Sequence, residues 1–205
     1  NGGNQAIAHS YGDVIAVSYN GEARGVSAVS NGDAAASNLA GGWVYAAGVY
    51  ADGVFASGET GFVFNEGDVD VYAVNGAFGL RADGDTSATA FNAGDVSVYS
   101  LYSYGTGVLA NSTANGIANA TNYGGAIKVD AVAAYGVVAN AGGGTARAEN
   151  VNGGTVNAFG AAIAYGVVAF GDTSATADNS GDVVSGANGS FAMGVAAFGT
   201  DANAL

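Results

Sequence analysis

Valine and alanine recur two residues apart along the whole chain, each pair following a glycine: Val26 and Ala28, Val54 and Ala56, Leu80 and Ala82, Val108 and Ala110, Val137 and Ala139, Val167 and Ala169, Val195 and Ala197. Period two is the signature of a strand with one face buried; neither a helix nor a disordered chain produces it. The glycines that precede these pairs, Gly25, Gly53, Gly79, Gly107, Gly136, Gly166 and Gly194, are separated by 26 to 30 residues. A second echo shares the period: the stretch 84–90, Gly-Asp-Thr-Ser-Ala-Thr-Ala, returns letter for letter at 171–177, three periods on. A fixed period in this range marks a solenoid or array, so the chain reads as about seven copies of one unit of about 28 residues.

Within each unit the alternation predicts three strands separated by turns. A Gly-Asp or Gly-Gly pair opens the unit, with Asp13, Asp68, Asp95 and Asp182 behind a glycine and Gly42, Gly125 and Gly154 in the same place elsewhere. The first strand puts Val69 and Val71, Val96 and Val98, Ile127 and Val129, and Val156 and Ala158 inward. Asp70, Tyr72, Ser97, Tyr99, Lys128, Asp130, Asn157 and Phe159 then face outward, and around Trp43-Val44-Tyr45 the pattern does not choose a parity. The second strand carries the valine-alanine pairs. The third carries alanine pairs such as Ala88 and Ala90 or Ala175 and Ala177, and two residues on, at the same inward parity, comes an asparagine: Asn38, Asn65, Asn92, Asn122, Asn150 and Asn179.

Stacked as coils, those amides would form a column about 4.8 Å apart. Each side-chain carbonyl could then accept from the amide of the next coil, which satisfies buried polar groups mutually. The competing reading makes them turn asparagines on the surface; continuation of the parity through the alanines favours the ladder. Three short strands per coil, small inward residues and glycine corners describe an all-β fold, a right-handed parallel β-helix of roughly triangular section, about 34 Å long at the inter-strand spacing. It forms a single repeat domain over 1–205, with a partial repeat at 1–12, six full repeats over 13–181 and a shortened one at 182–205. Propeller blades need a longer period.

Composition narrows the inside and the partners. Hydrophobic residues make up 49% of the chain, but alanine is prominent among them and there are 36 glycines, so the core is thin. Without cysteine there is no disulfide or thiolate metal site. A net charge of -13, with only Arg24, Arg81, Lys128 and Arg147 positive, argues against nucleic acid and anionic membrane as partners. No apolar run reaches membrane-spanning length, so no insertion is expected.

The units Asn92-Ala-Gly-Asp-Val96 and Asn179-Ser-Gly-Asp-Val183, each with a Gly-Val step downstream, resemble the Asn-x-Gly-Asp-Val repeats in the Gly/Ala/Asn-rich passengers of autotransporter and filamentous-haemagglutinin-like adhesins. The likeness covers nearly the whole chain. It implies a β-solenoid stalk outside the cell or on the bacterial surface, with a role in adhesion, biofilm or filament formation.

The search for chemistry returns no enzyme. The four basic residues fall in different coils or on different faces, and His9 has no basic or cysteine partner nearby. No cofactor is expected; calcium is the one candidate, at the stacked Asp68 and Asp95, but the Gly-Gly-x-Gly-x-Asp signature is missing and solvated turn carboxylates explain them. Ice binding through Thr86, Thr89, Thr173 and Thr176 suffers from a ragged, charged row between them. Outward on the second strand, Phe55, Leu109, Val138 and Val168 make an apolar contact stripe. Outward aromatics Tyr72, Tyr99 and Phe159 on the first face, with Phe64 and Phe91 on the third, are candidates for contact or for the ordinary strand preference for such side chains. The expected partners are other copies, end to end or laterally, and a host or cell-surface glycan. The strand edges at either end suggest a window on a longer solenoid or a stacking subunit. Sequons at Asn111, Asn119 and Asn188 could carry glycan.

Overall fold

A computed structural model describes residues 4–205. β1 (Gln5–Ser10) stands alone on one face, and seven coils follow it. The first is β2 (Val14–Val17), β3 (Glu22–Val29) and β4 (Asp33–Asn38); β5 (Trp43–Asn65) and β6 (Asp68–Asn92) each run round a complete coil. The fourth is β7 (Val96–Ser100), β8 (Tyr104–Ser112) and β9 (Ile117–Tyr123); the fifth is β10 (Ala126–Ala141) and β11 (Thr145–Val151). The sixth is β12 (Thr155–Gly171) and β13 (Ser174–Asn179), and the last is β14 (Asp182–Ala187), β15 (Phe191–Phe198) and β16 (Asp201–Ala204). All belong to one 16-stranded sheet, and every pairing is parallel. The fold is a β-solenoid.

Register makes the core a set of columns. On the first face Val14, Val44, Val69, Val96, Ile127, Val156 and Val183 lie in one row, each a Cα partner of the next. That row settles the parity at Trp43-Val44-Tyr45: Val44 and Ala46 are fully buried, leaving the two rings outside. A one-residue slip here would turn Val44 and Ala46 outward and drive the two rings into that row, so neighbouring coils decide what the local pattern cannot.

The second face is bent at its glycine. In every coil the ladder skips that residue, as between Tyr135 and Val137 paired with Tyr165 and Val167. Gly136 and Val137 are both buried, and the outward side chains on either side, Tyr135 and Val138, are three residues apart. The reason is close approach across the core: a Cβ on Gly53, Gly79, Gly107 or Gly136 would fall on a methyl of Val69, Val96, Ile127 or Val156 from the following coil. The glycine column is the space that the valine column fills.

Candidate functional site

Inside the third corner, Asn38 Nδ2 donates to Asn65 Oδ1 at 2.9 Å, and Asn65, Asn92, Asn122 and Asn150 each donate onward to the next asparagine, ending at Asn179, at 2.8 Å. The first five of these residues are fully buried. Polarity runs opposite to the sequence expectation: each carbonyl accepts from the coil before it. The turn fixes this, because the other N–H of each amide is taken by a backbone carbonyl just downstream, as Asn65 to Gly67 and Asn92 to Gly94. At the start of the column Ser10 pairs with Asn38. Its hydroxyl is turned to Gly12 O, and Asn38 Oδ1 is buried without a hydrogen-bond partner.

The apolar stripe expected as a contact surface is not exposed. Phe55 is 4%, Val138 7% and Val168 0% accessible, and Leu109 is half-buried. The bend at the glycine makes this face a trough. Val138, Val168 and Ala196 pack under Tyr135, Tyr165, Phe170 and Met193 as a second hydrophobic cluster outside the main core, with Tyr135 and Tyr165 stacked at 5.6 Å and Phe170 and Phe198 at 5.1 Å.

The same trough brings together charges that sequence spacing had kept apart. Phe55 lies between two guanidinium groups, Arg24 at 4.3 Å and Arg81 at 5.3 Å from its ring centre, and Arg81 also covers Phe78. Arg24 Nε lies 3.4 Å from the Asp52 carboxylate, but without hydrogen-bond geometry, and Asp52 Oδ2 has no hydrogen-bond partner. Burial pushes the Asp52 carboxyl up to about 6, against the pull of Arg81 and Arg24. Glu22 and Asp83 hold the outer ends of the two arginines at 2.7 Å. No signal in the sequence marks this cluster, because its members meet only when three coils are in register.

The first face and its corner with the second are open to solvent. Trp43, Tyr45, Tyr72 and Tyr99 form a run of tilted rings with centres 5.8 to 6.0 Å apart, and Trp43 Nε1 donates to Asp70 at 2.8 Å. Tyr72, Tyr99 and Phe159 are 48%, 40% and 44% accessible. Register places Tyr72, Tyr99, Asp130, Phe159 and Gly186 in one outward column. The aromatic run therefore stops at Tyr99, Asp130 interrupts it, and Phe159 resumes it. A Cβ on Gly186 would touch the Phe159 ring, which leans toward that side. An open cleft of about 520 Å³ lies at the interruption, with Tyr99, Leu101, Asp130, Phe159 and Asn188 on its walls. A narrower groove of about 180 Å³ continues from Tyr99 and Asp130 past Lys128, Ser97 and Tyr72 to Asp70. Among the described residues Lys128 and Asp130 form no salt bridge.

Elsewhere, Thr89 and Thr176 share an outward column but are separated in it by Asn119 and Arg147. Phe64 stacks on Phe91 at 5.6 Å. Among the described residues no three His, Cys, Asp or Glu side chains converge as metal ligands do, and no helix is long and apolar enough to cross a membrane. Of the three sequon asparagines Asn188 is exposed, while Asn111 and Asn119 are half-buried. No protein-family model, curated protein or solved structure matches the chain.

Proposed function

We propose that the chain is a non-catalytic structural and adhesive repeat rod of the bacterial surface or extracellular matrix, working through repetition and lateral contact. The observation that carries the reading is the concentration of internal bonding along the rod axis. Each coil is tied to the next by backbone ladders, and the first six also to one another by one asparagine amide per junction, an arrangement suited to carrying load and presenting one side repeatedly. The most perturbed carboxylate, Asp52, owes its shift to burial beside Arg24 and Arg81, a structural setting that speaks against turnover. The resemblance of the Asn-x-Gly-Asp-Val units to adhesin passenger repeats supports the surface location. Negative-stain electron microscopy over a concentration series, with adhesion of protein-coated beads to cells and biofilm matrix, tests it. Filaments or lateral bundles, or retained beads, are expected; isolated particles at every concentration with no bead retention would overturn it.

A further inference from the structure

We infer that the interruption of the aromatic column at Asp130 is a saccharide-binding slot, in which Tyr99 and Phe159 flank one sugar ring of a neutral glycan while Asp130 and Lys128 bond its hydroxyls. The inference rests on the adhesive half of the proposed function and names the ligand class of its contact surface.

The open ring faces come first. In the run each ring leans on the next, as Tyr72 lies tilted against one side of Tyr99 with centres 6.0 Å apart. At Asp130 no ring follows, so the other side of Tyr99 is bare, and Phe159 stands two coils away and leans onto Gly186. Two inter-strand spacings are about 10 Å. A ring in van der Waals contact with both flanking rings needs about 7 to 8 Å between them, so the gap admits one ring, which stacks on one aromatic face while its rim reaches the other, and is too wide to close on itself. Exposed aromatic faces on either side of a short polar residue are an unfavourable surface to leave in water.

The polar groups then select the occupant. The faces of a pyranose ring are C–H surfaces that stack on aromatic rings, and its rim carries hydroxyls that need both donors and acceptors. Asp130 supplies acceptors at the floor, Lys128 on the same strand supplies donors, and Ser97, Asp70 and Asn188 extend the polar edge along the joined clefts. A planar apolar ligand would leave these groups unpaired. The net charge of -13 disfavours acidic sugars, which leaves neutral ones.

Calorimetric titration with cellohexaose and maltohexaose as neutral probes, and sialyllactose as the acidic one, tests the slot. At least one neutral probe is expected to bind at millimolar concentration. Tyr99→Ala and Phe159→Ala should each weaken it about tenfold, the equivalent of about 1.4 kcal/mol, and Tyr123→Ala on another face should not. Both slot rings project outward, so the core is untouched. Asp130→Tyr is the decisive variant: it completes the column, so it should raise the melting temperature while abolishing binding, which loss of fold cannot mimic. No binding by either neutral probe, binding by sialyllactose alone, or binding that survives Asp130→Tyr would overturn the inference. The rod itself is judged separately by the filament and bead measurements, which need none of these sugars.

Discussion

A buried amide is stable only when all its valences are used, and the asparagine column shows both the complete and the incomplete case. Asn92 receives a hydrogen bond from Asn65 and gives one each to Asn122 and Gly94. Asn92→Ala strands a donor and two acceptors in a dry corner, and at about 1 kcal/mol or more for each the loss should be about 3 kcal/mol or more by denaturant unfolding. At the other extreme, Ser10→Asn places an amide opposite the unpaired Asn38 Oδ1 and should stabilise the protein by about 1 kcal/mol in the same assay. Asp52 is a different residue-scale case. Its folded pKa of about 6 lies above the ordinary 3.8, so the folded state holds the proton more tightly. Its contribution is most favourable below pH 3.8 and is lost as pH rises through about 6. Asp52→Asn removes the titrating group while keeping its shape. It should therefore gain stability at pH 7.5, by on the order of 1 to 3 kcal/mol, with the difference vanishing below about pH 4. Glu22 and Asp83 keep Arg24 and Arg81 paired in the variant.

At the scale of the strand, the glycine of the second face determines both inner packing and outer shape. Its missing Cβ admits the valine of the following coil, and the skipped pairing there turns the outer surface into the trough that covers Phe55, Val138 and Val168. Gly107→Ala drives a methyl onto Ile127 and the Gly136 carbonyl, and relief requires the rigid coil wall to move. A loss of about 2 to 3 kcal/mol is expected from thermal or denaturant unfolding, in line with overpacking of a dense core. Gly12→Ala, where nothing lies within 4 Å of the added carbon, should be neutral or gain about 0.5 kcal/mol through reduced freedom of the unfolded chain.

For the whole molecule, each coil touches only its neighbours, so stability is close to a sum of coil and interface terms. Excising 93–122, one full period from Asn92 to Asn122, should leave a folded solenoid in which Asn92 meets Asn150. Far-UV circular dichroism per residue should be unchanged and the denaturant m value should fall by about one seventh, in proportion to buried area. A collapse to an unfolded chain would show instead that coils are not interchangeable.

Local chemistry alone determined a good part of this protein. The period of the Gly-Val step, the inward parity of Val96 and Val98 or Ala88 and Ala90, and hence a β-solenoid of about seven coils, follow from period-two burial, which each strand states for itself. Tertiary structure decided whatever depends on what lies in the next coil. It chose the parity of Val44 from the valines above and below, gave each asparagine amide its partner in the next coil, and buried the outward Val168 by bending its face. It also set Arg24 and Arg81 on either side of Phe55 and left Tyr99 without a ring beyond it. Alternation along a strand says which side a residue faces; only the register between strands says what it faces there.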